Sequence, residues 1–371
     1  MTYPPRDIPV DRWRAAPSIV ETSLLCLCTA LLFVITIVTF TKYGDAVRNF
    51  GDSPDYSDIA SAIRHWDFRD LHVKQFWGYP YTMAAVSLVT RLSDQSSLLL
   101  ISFACSLASI LLAYRLWGGW IAGFLAVLNF DWMQRSFLGG SEPLFLLLLF
   151  ASFLAVRNEK WTAAALLASL ATVTRPVGIL AIATLAVFLL HKRKFKELSL
   201  CIGIGLLVGA LYTLPFSVFS RDPLYGFHRY KTADWGSAAP IGIPFSAIAF
   251  GLSHSHVPWT NVALNCGWLI LVLAGAIAMS RPSVRVYALE HPIEFWFAVL
   301  YIALLFTYNS NQWALAEFPR FAIPALPMVF VALTRWFPHD RRILWALGAV
   351  SPVLAAASAL GIRNVAHALL R

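Results

Sequence analysis

Charged residues are scarce in this 371-residue chain, at 13% of the sequence, whereas hydrophobic residues make up 58%. An ordinary soluble domain carries about 25% charged residues, so the composition excludes that class. The five cysteines are scattered through apolar runs as small hydrophobic side chains, which excludes a disulfide framework and a zinc-finger spacing. No fixed-period repeat and no low-complexity tract occurs, which excludes a repeat architecture.

Long apolar runs, by contrast, are abundant, and they predict an all-α polytopic membrane protein. Several approach or exceed the roughly 20 residues that cross a bilayer as a helix. We expect about 11 transmembrane helices, within a range of about 9 to 12. Residues 1–335 form the expected catalytic domain, and residues 336–371 form a C-terminal transmembrane helix and tail. The expected spans are 18–41, 96–115, 118–132, 141–157, 160–173, 177–191, 197–219, 258–279, 291–307, 318–335 and 341–360.

The basic residues predict the orientation of these spans. The net charge of +9 does not indicate nucleic-acid binding, because basic residues of membrane proteins mostly mark cytoplasmic loops and lipid headgroup contacts. With the N-terminus inside, clusters of basic residues fall in inside loops, and the short outside loops carry only Arg135, Arg175 and Arg320. This alternation requires that Phe76–Leu92 lie in the interface as an amphipathic helix rather than cross the membrane. The first outer loop then spans 42–95.

The first outer loop contains an acidic stretch that we expect to be functional. Apolar side chains recur at helical spacing after Pro54, which predicts a short amphipathic helix on the membrane surface. Ser53 suits the N-cap of this helix, Pro54 its first position and Asp55 its first turn, where the helix dipole favours an acid. Asp52 has none of these structural duties, so it is the candidate for chemistry.

Further ionisable residues gather at the outer ends of predicted spans, beside proline or glycine. Because such groups are costly at membrane depth, they are interpreted as functional. The set suits transfer of a sugar from a lipid phosphate, with Asp52 as general base towards an acceptor hydroxyl. Asp55 and Glu142 are secondary catalytic or acceptor-binding candidates. Arginine and lysine would stabilise the leaving phosphate. The candidates for that role are Arg175, Arg320, Arg229 and Lys231.

Four short stretches occur in order along the chain: Asp52–Ile59, Ser141–Phe145, Arg175–Gly178 and Arg320–Pro327. Together they resemble the GT-C glycosyltransferases, integral membrane enzymes that use polyprenyl-phosphate sugars. The first stretch resembles the first-loop motif of aminoarabinose and protein-mannosyl transferases, in which an acid precedes a tyrosine by four positions. The second and third resemble the second GPI mannosyltransferase and its bacterial relatives. The fourth resembles the late Arg-aromatic-x-x-Pro segment of the superfamily.

The resemblance covers roughly residues 15–335 and aligns Asp52 with the catalytic acid. It implies a GT-C type fold, inversion at the anomeric carbon and no essential metal or other cofactor. One departure is Ser53, which stands where many lipid A and protein-mannosyl relatives have a second acid. A metal is not expected from the residues either, because His254 and His256 lack an evident third ligand.

We therefore expect an inverting hexosyltransferase, such as a mannosyltransferase, that acts on an acceptor hydroxyl of a lipid, glycan or protein. Its expected partners are membrane lipid and a polyprenyl-phosphate sugar, not nucleic acid. Compact loops and the lack of a C-terminal retrieval signal favour a bacterial inner membrane with the site facing the periplasm. The alternative is the endoplasmic reticulum with a lumenal site.

Two other functional classes remain open at this stage. A transporter or flippase of a lipid-linked sugar would predict inverted repeats and charges in the middle of spans. The charges here instead collect at the outer ends of the spans. A non-catalytic membrane subunit would tolerate neutralisation of the outer carboxylates.

Overall fold

The computed structural model describes residues 16–68, 75–226, 228–229, 241–253, 259–308 and 317–361. These residues are helical apart from turns, loops and one isolated antiparallel β-bridge, so the predicted all-α class is confirmed. Two 3₁₀ turns, Pro176–Gly178 and Ile323–Ala325, lie between helices. The α-helices are α1 (Ile19–Phe40), α2 (Tyr43–Arg48), α3 (Ser53–His65), α4 (Gly78–Thr90), α5 (Asp94–Trp117), α6 (Gly119–Leu128), α7 (Phe130–Leu138), α8 (Glu142–Arg157), α9 (Trp161–Thr174), α10 (Ile179–His191), α11 (Phe195–Phe219), α12 (Ser246–Ser253), α13 (Trp259–Ala278), α14 (Pro282–Glu290), α15 (Pro292–Thr307), α16 (Phe318–Ala322), α17 (Leu326–Leu333) and α18 (Arg341–Leu360).

Within the described residues, the helices α1, α5, α11 and α18 are each long and apolar enough to cross a membrane. The bent pairs α7–α8 and α13–α14 meet the same test when each pair is taken as one span. The protein is an integral membrane protein, as predicted. The count of about 11 spans stays a prediction, because it also requires shorter apolar helices such as α6, α9 and α15 to cross.

The predicted span 118–132 is divided by a break that the hydropathy pattern does not reveal. Helix α6 ends at Leu128, and Asn129 caps the next helix by accepting a hydrogen bond from the Trp132 amide at 2.8 Å. Helix α7 ends at Leu138 and is followed by Gly139, whose φ of +106° favours glycine. The axes of α7 and α8 then differ by 106°. Broken helices at membrane depth are tolerated where their polar groups face protein or a cavity instead of lipid.

Helix α8 lies at the centre of the fold, where it packs against α5 and α9. The facing side of α9 carries Ala164, Ala165, Ala168 and Ala171, all fully buried. Small side chains allow membrane helices to approach closely and gain dispersion contacts. This packing fixes the end of α9 relative to the start of α8, the two places where Arg175 and Glu142 lie.

The helices α2, α3 and α4 of the first loop pack on the membrane helices. As predicted, α3 buries Tyr56, Ile59 and Ala60 and exposes Asp58. The start of α3 differs by one residue from the prediction: Ser53 is already helical, and Asp52 holds the cap position. The Asp52 side chain makes no capping bond. Its carboxylate is therefore available for other contacts.

Hydrogen bonds fasten this loop to α5. The Tyr56 and Tyr79 rings meet edge to face, with 5.0 Å between centroids. The Tyr79 hydroxyl lies 2.7 Å from Ser102 Oγ, and Arg64 pairs with Asp94 at 2.7 Å. Because α3 and α4 are held in this way, Asp52 is presented to the membrane helices on a rigid support.

A second buried polar cluster lies at the other end of α8. Arg157 donates two hydrogen bonds to Glu294, at 2.6 and 2.7 Å, and the Trp117 indole donates to the same carboxylate at 3.0 Å. The sequence predicts Arg157 as a charged residue of an inside loop. In the structure, its contacts join the ends of α5 and α8 to the start of α15.

Candidate active site

Asp52 points its carboxylate at the start of α16. Its Oδ2 accepts a hydrogen bond from Arg320 Nη2 at 2.8 Å. Its Oδ1 has a longer contact, 3.4 Å, with the side-chain amide of Gln75. The Asp52 side chain keeps 27% of its surface exposed. One carboxylate oxygen is thus held in place, and the other is loosely engaged.

Glu142 is the buried centre of the site, with 3% of its surface exposed. It is the first residue of α8, where the helix dipole favours a carboxylate. Its Oε1 accepts from Arg175 Nη1 at 2.5 Å and also from Arg320 Nε. Its Oε2 is buried and has no hydrogen-bond partner in the described part of the chain.

Arg320 joins the two carboxylates, since it contacts Asp52 and Glu142 at once. Backbone contacts on both sides hold it. The Asn129 side chain donates to the Pro319 carbonyl at 2.9 Å, and the Tyr301 hydroxyl donates to the Phe321 carbonyl at 2.8 Å. Its position is therefore fixed by α6–α7 and by α15.

Arg175 is the C-cap residue of α9, and it donates to the same oxygen of Glu142 as Arg320 does. Its Nη1 also lies 3.3 Å from Ser141 Oγ, which accepts a hydrogen bond from the Tyr56 hydroxyl at 3.0 Å. The sequence placed Asp52, Glu142, Arg175 and Arg320 at the same side of the membrane. The structure brings these four side chains into one continuous network.

Arg135 is a fifth member that the sequence analysis counted only as a loop charge. It lies in the last turn of α7 with 6% of its surface exposed. Its guanidinium stacks on Phe50, with Cζ 4.7 Å from the ring centroid. Local signals mark α7: Asn129 is a suitable N-cap, and Gly139 a suitable stop. These signals predict that Arg135 lies in a helix, but they do not predict that its side chain is buried. We call Asp52, Arg135, Glu142, Arg175 and Arg320 the carboxylate–arginine cluster.

Two glycines make this arrangement possible. A Cβ at Gly51 would lie 2.4 Å from Arg135 Nη1, and one at Gly140 would lie 2.7 Å from Glu142 Oε2. Gly51 also has a φ of +51°, in the left-handed region. A side chain at either position would collide with the cluster.

The charges of the cluster keep Asp52 ionised. Burial by itself would raise the pKa of Asp52, because it disfavours the charged form. The guanidinium groups of Arg320 and Arg135 outweigh burial and hold the pKa below its ordinary value of 3.8. At neutral pH, Asp52 is a hydrogen-bond acceptor only.

The other candidates lie on α3, near the end of α11 or outside the described residues. Asp55 is in the first turn of α3, as predicted. The Arg229 guanidinium lies 6.0 Å from the centroid of the Tyr225 ring, and that ring packs on Phe219. Lys231, His254 and His256 fall outside the described residues. Among the described residues, no group of three or more His, Cys, Asp or Glu is placed to hold a metal.

Similarity to known proteins is found in the fold. No family model and no curated protein matches the chain. Among solved structures, the chain is similar to the crystal structure of ArnT from Cupriavidus metallidurans bound to undecaprenyl phosphate, with a TM-score of 0.50 and 16% identity. The chain has an ArnT-like fold. This likeness is one of fold, and it agrees with the fold that the resemblance of the four stretches implies.

The match to ArnT covers 85% of this chain and 62% of ArnT, so the chain spans less than two thirds of ArnT's length. Chemically, the cluster combines an ionised, partly exposed carboxylate with a buried carboxylate and three guanidinium groups. This combination is able to accept a proton at Asp52 and to stabilise negative charge nearby.

Proposed function

We propose that this protein is an inverting membrane glycosyltransferase that moves a sugar from a polyprenyl phosphate to an acceptor hydroxyl. The observation that carries the proposal is the hydrogen-bonded network that joins Asp52 and Glu142 to Arg175 and Arg320 in a chain with an ArnT-like fold. The crystallised ArnT holds undecaprenyl phosphate, a lipid of the proposed class.

In the proposed reaction, the acceptor oxygen attacks the anomeric carbon from the face opposite the phosphate. The bond from that carbon to the phosphate oxygen breaks, and its electron pair stays on the polyprenyl phosphate. The proton of the acceptor hydroxyl passes to Asp52. A weak base is sufficient, because the acceptor oxygen becomes strongly acidic as its new bond forms. Single displacement produces inversion at the anomeric carbon.

Asp52 Oδ1 is the oxygen suited to accept this proton, since its contact with Gln75 is long. Arg320 fixes the other oxygen and so orients the carboxylate. Arg175 and Arg320 are proposed to add positive potential that stabilises the leaving phosphate. Arg229 and Lys231, from the second outer region, are proposed to assist. Asp55 is proposed as a secondary acceptor contact, and no metal is required.

We further propose that the sugar is a hexose, such as mannose, and that the acceptor is a lipid, glycan or protein. The apolar helices would hold the polyprenyl chain. The proposed setting is a bacterial inner membrane with the cluster facing the periplasm.

The direct experiment is transfer by the purified protein in proteoliposomes made from native membrane lipids. Radiolabelled mannose, glucose and aminoarabinose, each linked to undecaprenyl phosphate, serve as donors. We expect the radiolabelled sugar of at least one donor to appear in a new product, with release of undecaprenyl phosphate. If protein that retains its helical content transfers none of the three sugars and cleaves no donor, the proposal is wrong for these substrates.

A flippase would behave differently in the same vesicles. It would move an intact lipid-linked sugar between leaflets without cleaving the bond between sugar and phosphate. Release of undecaprenyl phosphate therefore separates the two functions.

A further inference from the structure

Arg135 carries a buried charge whose hydrogen bonds are incomplete. Its Nε and Nη1 have no partner among the described residues, although 94% of the residue is buried. Buried polar groups nearly always have partners, and an unpaired buried charge costs stability. Such a group in a candidate active site suggests a partner that arrives from outside the chain.

The other two arginines of the cluster already donate to carboxylates, and Arg320 is the more fully engaged of the two. Arg175 gives hydrogen bonds to Glu142 and Ser141. Arg320 gives hydrogen bonds to Glu142, Asp52 and Glu317. The guanidinium group has five N–H donors, and these contacts occupy most of those of Arg320.

The surroundings of Arg135 favour an anion. The positive charge of Arg135 acts on the carboxylates of Asp52 and Asp131, but neither carboxylate accepts a hydrogen bond from Arg135. Gly51 and Gly140 lie so close to its side chain that a Cβ at either position would collide with it. The guanidinium is therefore held near Asp52, where the reacting group would lie, and its N–H donors suit the oxygens of a phosphate.

We propose that Arg135 is the direct ligand of the substrate's phosphate ester. Arg175 and Arg320 hold Glu142 and Asp52 in place and add positive potential without binding the phosphate directly. The identity of the phosphate as a polyprenyl phosphate rests on the proposed function. The anion site itself does not, since it follows from the burial of Arg135 and from its lack of partners within the described part of the chain.

The test measures binding and stability together, with the full chain in lipid nanodiscs. Arg135→Met removes the charge and keeps an apolar stem. Arg48→Gln is the control, because it removes an exposed positive charge from α2 in the first outer loop. The probes are undecaprenyl phosphate, uncharged undecaprenol and inorganic phosphate.

Without ligand, Arg135→Met is expected to unfold at a temperature equal to or above that of the wild type, because an unpaired buried charge has been removed. Its Kd for undecaprenyl phosphate is expected to rise by about 10- to 100-fold, the range typical of a lost hydrogen bond to a charged group. Undecaprenol binding should be unchanged, and Arg48→Gln should match the wild type.

Inorganic phosphate distinguishes the sources of the anion. Competition that disappears in Arg135→Met supports a site that recognises phosphate alone. Absence of competition, with the lipid still dependent on Arg135, supports a site that only the lipid headgroup reaches.

The proposal is overturned if Arg135→Met binds undecaprenyl phosphate within twofold of the wild type. It is also overturned if the variant loses stability without ligand, since that result would mark Arg135 as structural. Should Arg135→Met fail to fold, Arg135→Lys is measured in the same way. A wild-type Kd in that variant would again contradict the role of the guanidinium fork.

The outcome for the phosphate site is separable from that for the enzyme. Arg135-dependent binding without any sugar transfer would leave this inference standing and contradict the proposed function. Transfer with no dependence of phosphate binding on Arg135 would do the reverse.

Discussion

At the residue scale, Glu142 organises the cluster because one of its oxygens accepts from two guanidinium groups. Charge-assisted hydrogen bonds of this kind are strong and directional, more so in a low-dielectric site. Arg320 then transmits this order to Asp52, whose Oδ2 it contacts at 2.8 Å. The proposed base is therefore oriented by a group that is itself oriented by a buried carboxylate. This series of contacts gives the rigidity that a catalytic geometry needs.

The pH dependence of Asp52 follows from these contacts. Its pKa in the folded protein lies below its ordinary value of 3.8, because Arg320 and Arg135 outweigh burial. The carboxylate thus adds stability that is present above 3.8 and is lost as the pH falls through the folded pKa. We expect kcat/KM to show no acid limb from Asp52 between about pH 5 and pH 8.

Arg320→Gln is expected to raise the pKa of Asp52, because burial then acts with less opposition. The acid limb of kcat/KM should move to higher pH, even though the variant is slower. A pH profile of transfer for both proteins checks this. Identical acid limbs would contradict the coupling, and Arg48→Gln provides the control for loss of one positive charge.

At the element scale, the break between α6 and α7 places two arginines of the cluster. Asn129 caps α7, which carries Arg135, and its amide also holds Pro319 beside Arg320. A continuous helix through this region would leave the Pro319 carbonyl without its donor. The start of the short helix α7 thus helps to position Arg135 and Arg320, and the helix is also part of a broken span.

Replacement of Asn129 by Ala removes both contacts. We expect a loss of about 1–2 kcal/mol in stability from the cap, together with a fall in transfer rate from the displaced Arg320. Asn129→Ser keeps a capping oxygen but lacks the amide donor, so it should recover most of the stability and little of the rate. Thermal unfolding and kcat measure the two effects.

Ser93→Ala is the matched control, because Ser93 caps α5 by accepting from the Ser96 amide at 3.2 Å, away from the cluster. It should lose a similar stability and retain the wild-type rate. If Asn129→Ala retains that rate as well, the contact with Pro319 has no role in the site.

At the scale of the whole molecule, the two polar clusters lie at opposite ends of α8. The 16 residues of this helix give it a length of about 24 Å. The cluster at its far end, Arg157 with Glu294, is fully paired. In the carboxylate–arginine cluster, by contrast, atoms of Arg135 and Glu142 have no hydrogen-bond partner among the residues that the structure describes. Complete pairing is typical of a structural contact, and incomplete pairing of a binding site.

Arg157→Gln is therefore expected to reduce stability without a specific effect on the site. It leaves Glu294 buried with too few partners, which costs about 3–5 kcal/mol. The double variant with Glu294→Gln should recover part of this loss, because no uncompensated charge remains. Unfolding in a denaturing detergent series measures both variants. A single variant as stable as the wild type would contradict the structural role of the pair.

Much of the fold and of the candidate site could be predicted from the sequence, because apolar runs and charged residues at the ends of spans are local signals. The sequence predicted the all-α membrane class, the amphipathic helix after Asp52 and four members of the cluster, whereas the count of about 11 spans stays a prediction. It did not find the burial of Arg135 or the pairing of Arg157 with Glu294. Hydropathy averages over a window, so it does not detect the 106° bend after α7 or contacts between residues distant in sequence. Those features depend on tertiary packing.

The central claim, that Asp52 is the general base, is tested most directly by comparing Asp52→Asn with Asp58→Asn in the transfer assay. Asp58 is an exposed acid on the same helix, so its replacement controls for the loss of one negative charge. We expect Asp52→Asn to lower kcat by about 100-fold or more while its helical content stays intact. Asp58→Asn should retain the wild-type rate. Wild-type turnover by a correctly folded Asp52→Asn protein would contradict the account.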